Sequence, residues 1–143
     1  MSASDLAQVM EQNHRALDAF VKGDAEPLGK LFSRRDDVTV ANPFGPAARG
    51  WNQVAETMGR AALNYRGGEA TGFERVSEYA TADLAYIVEV ERFRAKVGGA
   101  DESTPFALRV TTIFRREENA WRIVHRHADP ITAPRPPASV LQP

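Results

Sequence analysis

FALRVTTIFRREENAWRIVHRH, residues 106–127, reads as two strands and the turn between them. From Phe106 to Arg116 the side chains alternate. Phe106, Leu108, Val110 and Phe114 face one way and Ala107, Thr111 and Ile113 the other, which is the two-residue period of a strand. Glu117, Glu118 and Asn119 supply the turn, and Trp121 to His127 the returning strand. Upstream, Leu84 to Lys96 has the same character behind a turn at Asp83. Gly98-Gly99 and a polar stretch connect it to Phe106, and Thr71 to Tyr79 is a further strand. Long strands joined by short loops predict an antiparallel meander.

The first half reads differently. Leu6, Val9, Met10, Leu17, Phe20 and Val21 recur at three- and four-residue steps, predicting a helix that Gly23 ends. Asp24 is placed to cap a shorter helix carrying Leu28, Leu31 and Phe32. Val38-Thr39-Val40 is a short strand, ended by the two prolines of Asn42-Pro43-Phe44-Gly45-Pro46. Gly50 opens a third helix with Trp51, Val54, Met58, Ala61 and Tyr65 on one face, and Gly67-Gly68 closes it. Three N-terminal helices followed by an antiparallel sheet give an α+β domain over residues 1–130, in which a sheet curved around the helices can enclose a cavity. Residues 131–143 are a proline-rich tail without periodicity.

Composition narrows the function classes. The 143 residues contain no cysteine, which excludes disulfides, thiolate metal sites and cysteine nucleophiles. Lys and Arg number 18 against 19 Asp and Glu, so no excess of charge favours nucleic acid or an anionic membrane. The N-terminus is too polar for a signal peptide, and no apolar run has membrane-spanning length. A cytoplasmic protein is expected. Both sheet faces carry apolar residues while the helices cover one, so a homodimer is expected. No glycine-rich phosphate loop or Ser-His-Asp order occurs, and no cofactor is implied.

Two segments carry a resemblance. KGDAEPLGKLFSRRDDVTVANPFGPAARGWNQV, residues 22–54, resembles the first half of the nuclear-transport-factor-2-like superfamily, the cone-shaped α+β fold of SnoaL-like proteins and ketosteroid isomerase. RREENAWRIVHRHADP, residues 115–130, is similar to the last hairpin of SnoaL-like proteins and of the calcium/calmodulin-dependent kinase association domain. Together the likeness spans roughly residues 4 to 130. It implies the cone fold, but not the isomerase chemistry. That enzyme's proton-abstracting aspartate falls on Asn42, whose amide is no base. Its tyrosine falls on Ala16, and its protonated sheet acid on Thr111 or Thr112.

Other residues supply the candidate chemistry. Glu89 and Glu91 share a face of one strand, and Arg109 and Thr111 a face of the next. If those faces meet, Glu91 and Arg109 form a charge pair that orients a carbonyl or carboxylate; the alternative is a salt bridge at the sheet surface or in a dimer interface. His125 and His127 share a face with Trp121 and Ile123, which turns them towards the helices. The resemblance instead turns Val124, Arg126 and Ala128 towards the cavity, so His127 and Arg126 are alternatives for the catalytic set with Glu91 and Arg109. His125-Arg126-His127-Ala128-Asp129 fits an HxHxD metal pattern, but only His14 remains to complete it and no metal site is expected. Asn42 either hydrogen-bonds a ligand or caps its turn. Trp51, Phe44, Met58 and Tyr86 are either cavity walls or ordinary core.

Two functions compete on this reading. One is binding of a small organic molecule in the cone, with or without cofactor-free acid–base chemistry. The other is a non-enzymatic association module.

Overall fold

Alternating strands need a cover, and the amphipathic helices provide it. In the computed structural model, which describes residues 3–142, α1 runs Ala3–Phe20 and α2 Glu26–Leu31. β1 is Thr39–Ala41, β2 Ala48–Arg49 and α3 Trp51–Ala62. β3 is Tyr65–Ala80, β4 Leu84–Val97, β5 Thr104–Glu117 and β6 Ala120–Asp129. The six strands form one sheet in the order β2-β1-β6-β5-β4-β3. Neighbours are antiparallel except β1, which lies parallel to β6, so the sheet is mixed where the sequence suggested antiparallel throughout.

α1 buries Leu6, Val9, Met10, Asn13, Ala16 and Leu17, one stripe at helical spacing, and Val21 in the turn after it is buried too. Gly23 ends it at φ +97°, a conformation that glycine adopts without strain. α2 is capped by Ala25 rather than Asp24; the Asp24 carboxylate instead accepts the Glu26 N–H at 3.1 Å. β3 carries three register shifts, between Arg66 and Glu69, Ala70 and Gly72, and Arg75 and Ser77. Such bulges bend and coil a strand, which lets the sheet wrap α1. The α3–β3 boundary is also corrected: α3 stops at Ala62, and Gly67-Gly68 lies inside β3. Gly68 is required there by contact, since a Cβ at that position would stand 2.3 Å from the Val21 carbonyl oxygen. From Pro130 to Gln142 the chain is exposed, with one short 3-10 turn at Pro137–Val140. Among the described residues no helix is long and apolar enough to cross a membrane.

β6 changes face partway along. Its pairing with β5 slips between Ile113 and Phe114, leaving Val124 as the extra residue. Trp121 and Ile123 are buried before the slip, Arg126 and Ala128 after it, and His125 and His127 face outward. Both sequence readings of this strand were half right. The apolar pattern places its first part, the resemblance its second, and the bulge lets both hold.

Candidate functional site

β4 brings charge into the core. Its inner face is Ala85, Ile87, Glu89, Glu91, Phe93 and Ala95, all buried, so strand alternation sends two carboxylates among apolar side chains. Each takes its cation from another strand. Glu91, 0% exposed, accepts Arg126 Nη1 at 2.8 Å and Nη2 at 2.7 Å. The Arg126 backbone lies in the row of Ile87 and Thr112, whereas Glu91 lies in the row of Leu108. The arginine therefore crosses β5 diagonally to make the pair. Burial disfavours its charge, but the Glu91 carboxylate more than compensates and raises the guanidinium pKa.

Glu89 sits one inward position away. His14 Nε2 lies 2.8 Å from one carboxylate oxygen, and Arg75 Nε donates to the other at 2.9 Å. The His14 ring lies flat on Phe73, with centroids 3.8 Å apart. Burial alone would raise the Glu89 pKa, but the His14 and Arg75 hydrogen bonds override it and hold the group below its ordinary value.

Beside Arg126, aromatic rings pack against one another along the cavity wall. Tyr65 stacks on Phe106 at 5.5 Å, Phe106 on Phe93 at 5.3 Å, and Phe44 leans on Tyr65 at 5.7 Å. They enclose a cavity of about 30 Å³, which Leu17, Leu108 and Arg126 also line. Burial pushes the Tyr65 pKa up to about 12, and its hydroxyl lies close enough to feel both the Arg126 and Glu91 charges. It keeps its proton through the neutral range. Deeper inside, the Asn13 amide and the Thr112 hydroxyl are fully buried with no hydrogen-bond partner among the described residues. Thr112, not Thr111, is thus the inward residue of the two matched to the isomerase's sheet acid.

The candidates read from sequence divide between two faces. Glu89, Glu91 and Arg126 are inside, and Asn42 is at the rim. Asn42 Oδ1 accepts the Phe44 N–H at 2.9 Å, which caps the turn, while the residue still lines the cavity. Arg109, Thr111, Tyr86, His125 and His127 all stand on the outer face. The Glu91–Arg109 pair does not form. Arg109 is bound instead to Asp129, its Nη2 2.8 Å from a carboxylate oxygen, because strand alternation puts odd-numbered β5 residues outside. His125 Nδ1 lies 2.7 Å from Thr39 Oγ1, with its pKa lowered by burial and by the nearby His127. His127 Nε2 is 3.4 Å from Asp129. Trp51 lies away from the cone, under the Arg34 guanidinium at 3.6 Å, and Met58 is core.

The sequence reading missed Tyr65, Phe93, Phe106 as a wall, and the His14–Glu89 contact. Phe93 was available from its two-residue step beyond Glu91. Tyr65 was hidden by its assignment to α3.

Solved structures share this architecture. A ketosteroid isomerase-like protein from Erwinia carotovora atroseptica is 18% identical, with 92% of this chain and 100% of that one covered and a TM-score of 0.73. A nuclear transport factor 2-like superfamily protein from Salmonella enterica is also 18% identical, with 91% of each chain covered and a TM-score of 0.73. A Thiobacillus denitrificans protein, provisionally assigned as a type II calcium/calmodulin-dependent protein kinase association domain, is 23% identical. There 87% of this chain and 93% of that one are covered, with a TM-score of 0.69. These likenesses establish the fold. No curated protein sequence matches. The SnoaL-like domain family matches residues 9–133, most of the length, and the chain belongs to that family.

Proposed function

We propose that this protein binds a small, uncharged carbonyl compound inside the cone, with Arg126 donating to the carbonyl oxygen and Glu91 positioning Arg126. One observation carries the reading. A guanidinium has five N–H donors. Glu91 engages two of them. The other three have no acceptor among the described residues, although Arg126 is only 7% exposed and lines the cavity. Donors at the wall of a cavity are satisfied by an acceptor that a ligand or water brings there.

The surroundings select the ligand's character. Glu91 and Arg126 cancel each other's charge, so an ionic ligand would enter uncompensated. Tyr65 adds a second protonated donor, and both carboxylates are already hydrogen-bonded. Donors without a free base suit holding and polarising a carbonyl rather than abstracting a proton. The cavity of about 30 Å³ holds roughly one or two waters. A ligand therefore enters by displacing Phe44, which is 49% exposed on the loop between β1 and β2.

Calorimetric titration with acetophenone tests this. Wild type binds it, and Glu91→Leu with Arg126→Met, which removes the pair without orphaning a charge, weakens binding at least about tenfold with an unchanged circular dichroism spectrum. Equal affinity in the two proteins contradicts the reading.

A second reading concerns the outer face. Tyr79, Leu84, Tyr86, Val88, Thr111 and Ile113 bound a groove of about 330 Å³ on the side that the helices leave uncovered. This supports homodimerisation through the sheet, compatible with ligand binding inside. Sedimentation equilibrium is expected to give about twice the 15.8 kDa chain mass, and Tyr86→Lys with Ile113→Lys a monomer. A strict monomer for wild type at micromolar concentration contradicts it.

A further inference from the structure

A second space lies on the other side of Phe44. It is an open basin of about 460 Å³ between the β1–β2 loop and the exposed side of α3. Asn42, Phe44 and Ala61 line both this basin and the inner cavity, so they form a shared wall. The two spaces differ in chemistry. The inner one is aromatic around Arg126, whereas the basin sets side-chain amides, a hydroxyl and one ion pair among Phe44, Pro46 and small alanine side chains.

The hydrogen-bonding inventory of the basin is specific. Asn42 uses its carbonyl oxygen on the Phe44 N–H, leaving its Nδ2 donors without a partner among the described residues. Gln53 has only its oxygen engaged, weakly, by the Arg49 N–H at 3.5 Å. Asn64 donates from Nδ2 to the Arg60 carbonyl at 3.2 Å, which leaves its oxygen as an acceptor. Thr57 offers a hydroxyl that both donates and accepts. Glu56 and Arg60 are bonded to each other, so their charges cancel. Open donors, an open acceptor and a hydroxyl, with no net charge, match a group that is itself both donor and acceptor at several points. A polyhydroxyl group is such a partner, and an ammonium, carboxylate or phosphate is not. The half-exposed Phe44 ring adds an apolar platform of the kind that packs on the C–H face of a sugar ring.

We infer that the basin is a second subsite for an uncharged polyhydroxyl group. The ligand of this protein is then a carbonyl compound bearing a glycosyl-type head, with its carbonyl at Arg126 and its head against Gln53, Thr57 and Asn64. This rests on the binding reading above and extends it outward across Phe44.

The test compares 4′-hydroxyacetophenone with its 4′-O-β-D-glucoside by calorimetry. The glucoside is expected to bind at least about tenfold more tightly, the equivalent of one or two net hydrogen bonds. Gln53→Ala with Thr57→Ala is expected to abolish that advantage while leaving affinity for the aglycone unchanged. Free glucose, added as competitor, is expected to weaken the glucoside and not the aglycone. If the aglycone binds and the glucoside binds no better, or if the double variant keeps the advantage, the subsite is overturned and the inner site stands. If neither compound binds wild type, the inner site fails and the subsite falls with it.

Discussion

Arg126 has a side chain long enough to cross a neighbouring strand, and that reach brings a full charge beside the aromatic rings. Buried ion pairs are weak contributors to stability, because desolvation offsets most of their attraction. Removing one partner is another matter. Arg126→Met strands the Glu91 carboxylate at 0% exposure and is expected to cost about 3–5 kcal/mol in urea denaturation. Glu91→Leu with Arg126→Met is expected to recover most of that loss. Equal destabilisation in single and double variants would show that the pair holds the fold, which would remove the argument that it is kept for a ligand. Glu89 gives a pH signature. Its folded-state pKa is depressed by His14 and Arg75, so the unfolded chain binds the extra proton as the solution acidifies. Its contribution is complete above the ordinary value of 4.5 and is lost as pH falls through the lower folded-state value. Glu89→Gln is therefore expected to be less stable than wild type at pH 7, with the gap narrowing by pH 3. Urea midpoints at the two pH values measure it, and a constant gap contradicts the assignment.

At the scale of the element, the bulge in β6 does most to shape the site. One extra residue, Val124, lets Trp121 and Ile123 face the core on one side of it and Arg126 and Ala128 on the other. Deleting Val124 restores strict alternation, so one of those pairs must turn outward. The deletion is expected to abolish cooperative unfolding or the soluble protein itself, whereas Val124→Ala is expected to cost about 1–2 kcal/mol. A deletion variant with a near-wild-type urea midpoint would show that the register is not fixed here. The same bulge marks the limit of what the sequence discloses. Alternation alone placed Glu89 and Glu91 together on one face of β4 and Phe106, Leu108, Val110 and Phe114 on one face of β5, and the structure shows both faces to be the inner ones. A bulge leaves no mark in a run such as Trp-Arg-Ile-Val-His-Arg-His, so the face of Arg126 stayed open. The partner of Glu91 was sought one strand away, at Arg109, because pairing rules describe side-by-side neighbours and not a diagonal reach across an intervening strand. Gly67-Gly68 misled for a related reason. Glycine stops helices, but here it admits the Val21 carbonyl against β3.

For the whole molecule, the sheet separates two kinds of surface. Its concave side holds ion pairs and aromatic rings beneath the helices, and its convex side carries Tyr86, Val88, Thr111 and Ile113. In the proposed function, ligand recognition belongs to the first and self-association to the second. Loss of the dimer through Tyr86→Lys with Ile113→Lys is therefore expected to leave acetophenone affinity unchanged. The central claim is that Arg126 keeps free donors for a carbonyl oxygen inside the cone, and ¹H–¹⁵N NMR of the Arg126 Nε–H during titration with acetophenone reads those donors. A slowly exchanging Nε–H resonance that moves downfield saturably, together with amide shifts at Leu17, Tyr65 and Phe106, is the result expected. A resonance that stays fixed at saturating ketone, or shifts confined to the outer sheet face, would contradict the account.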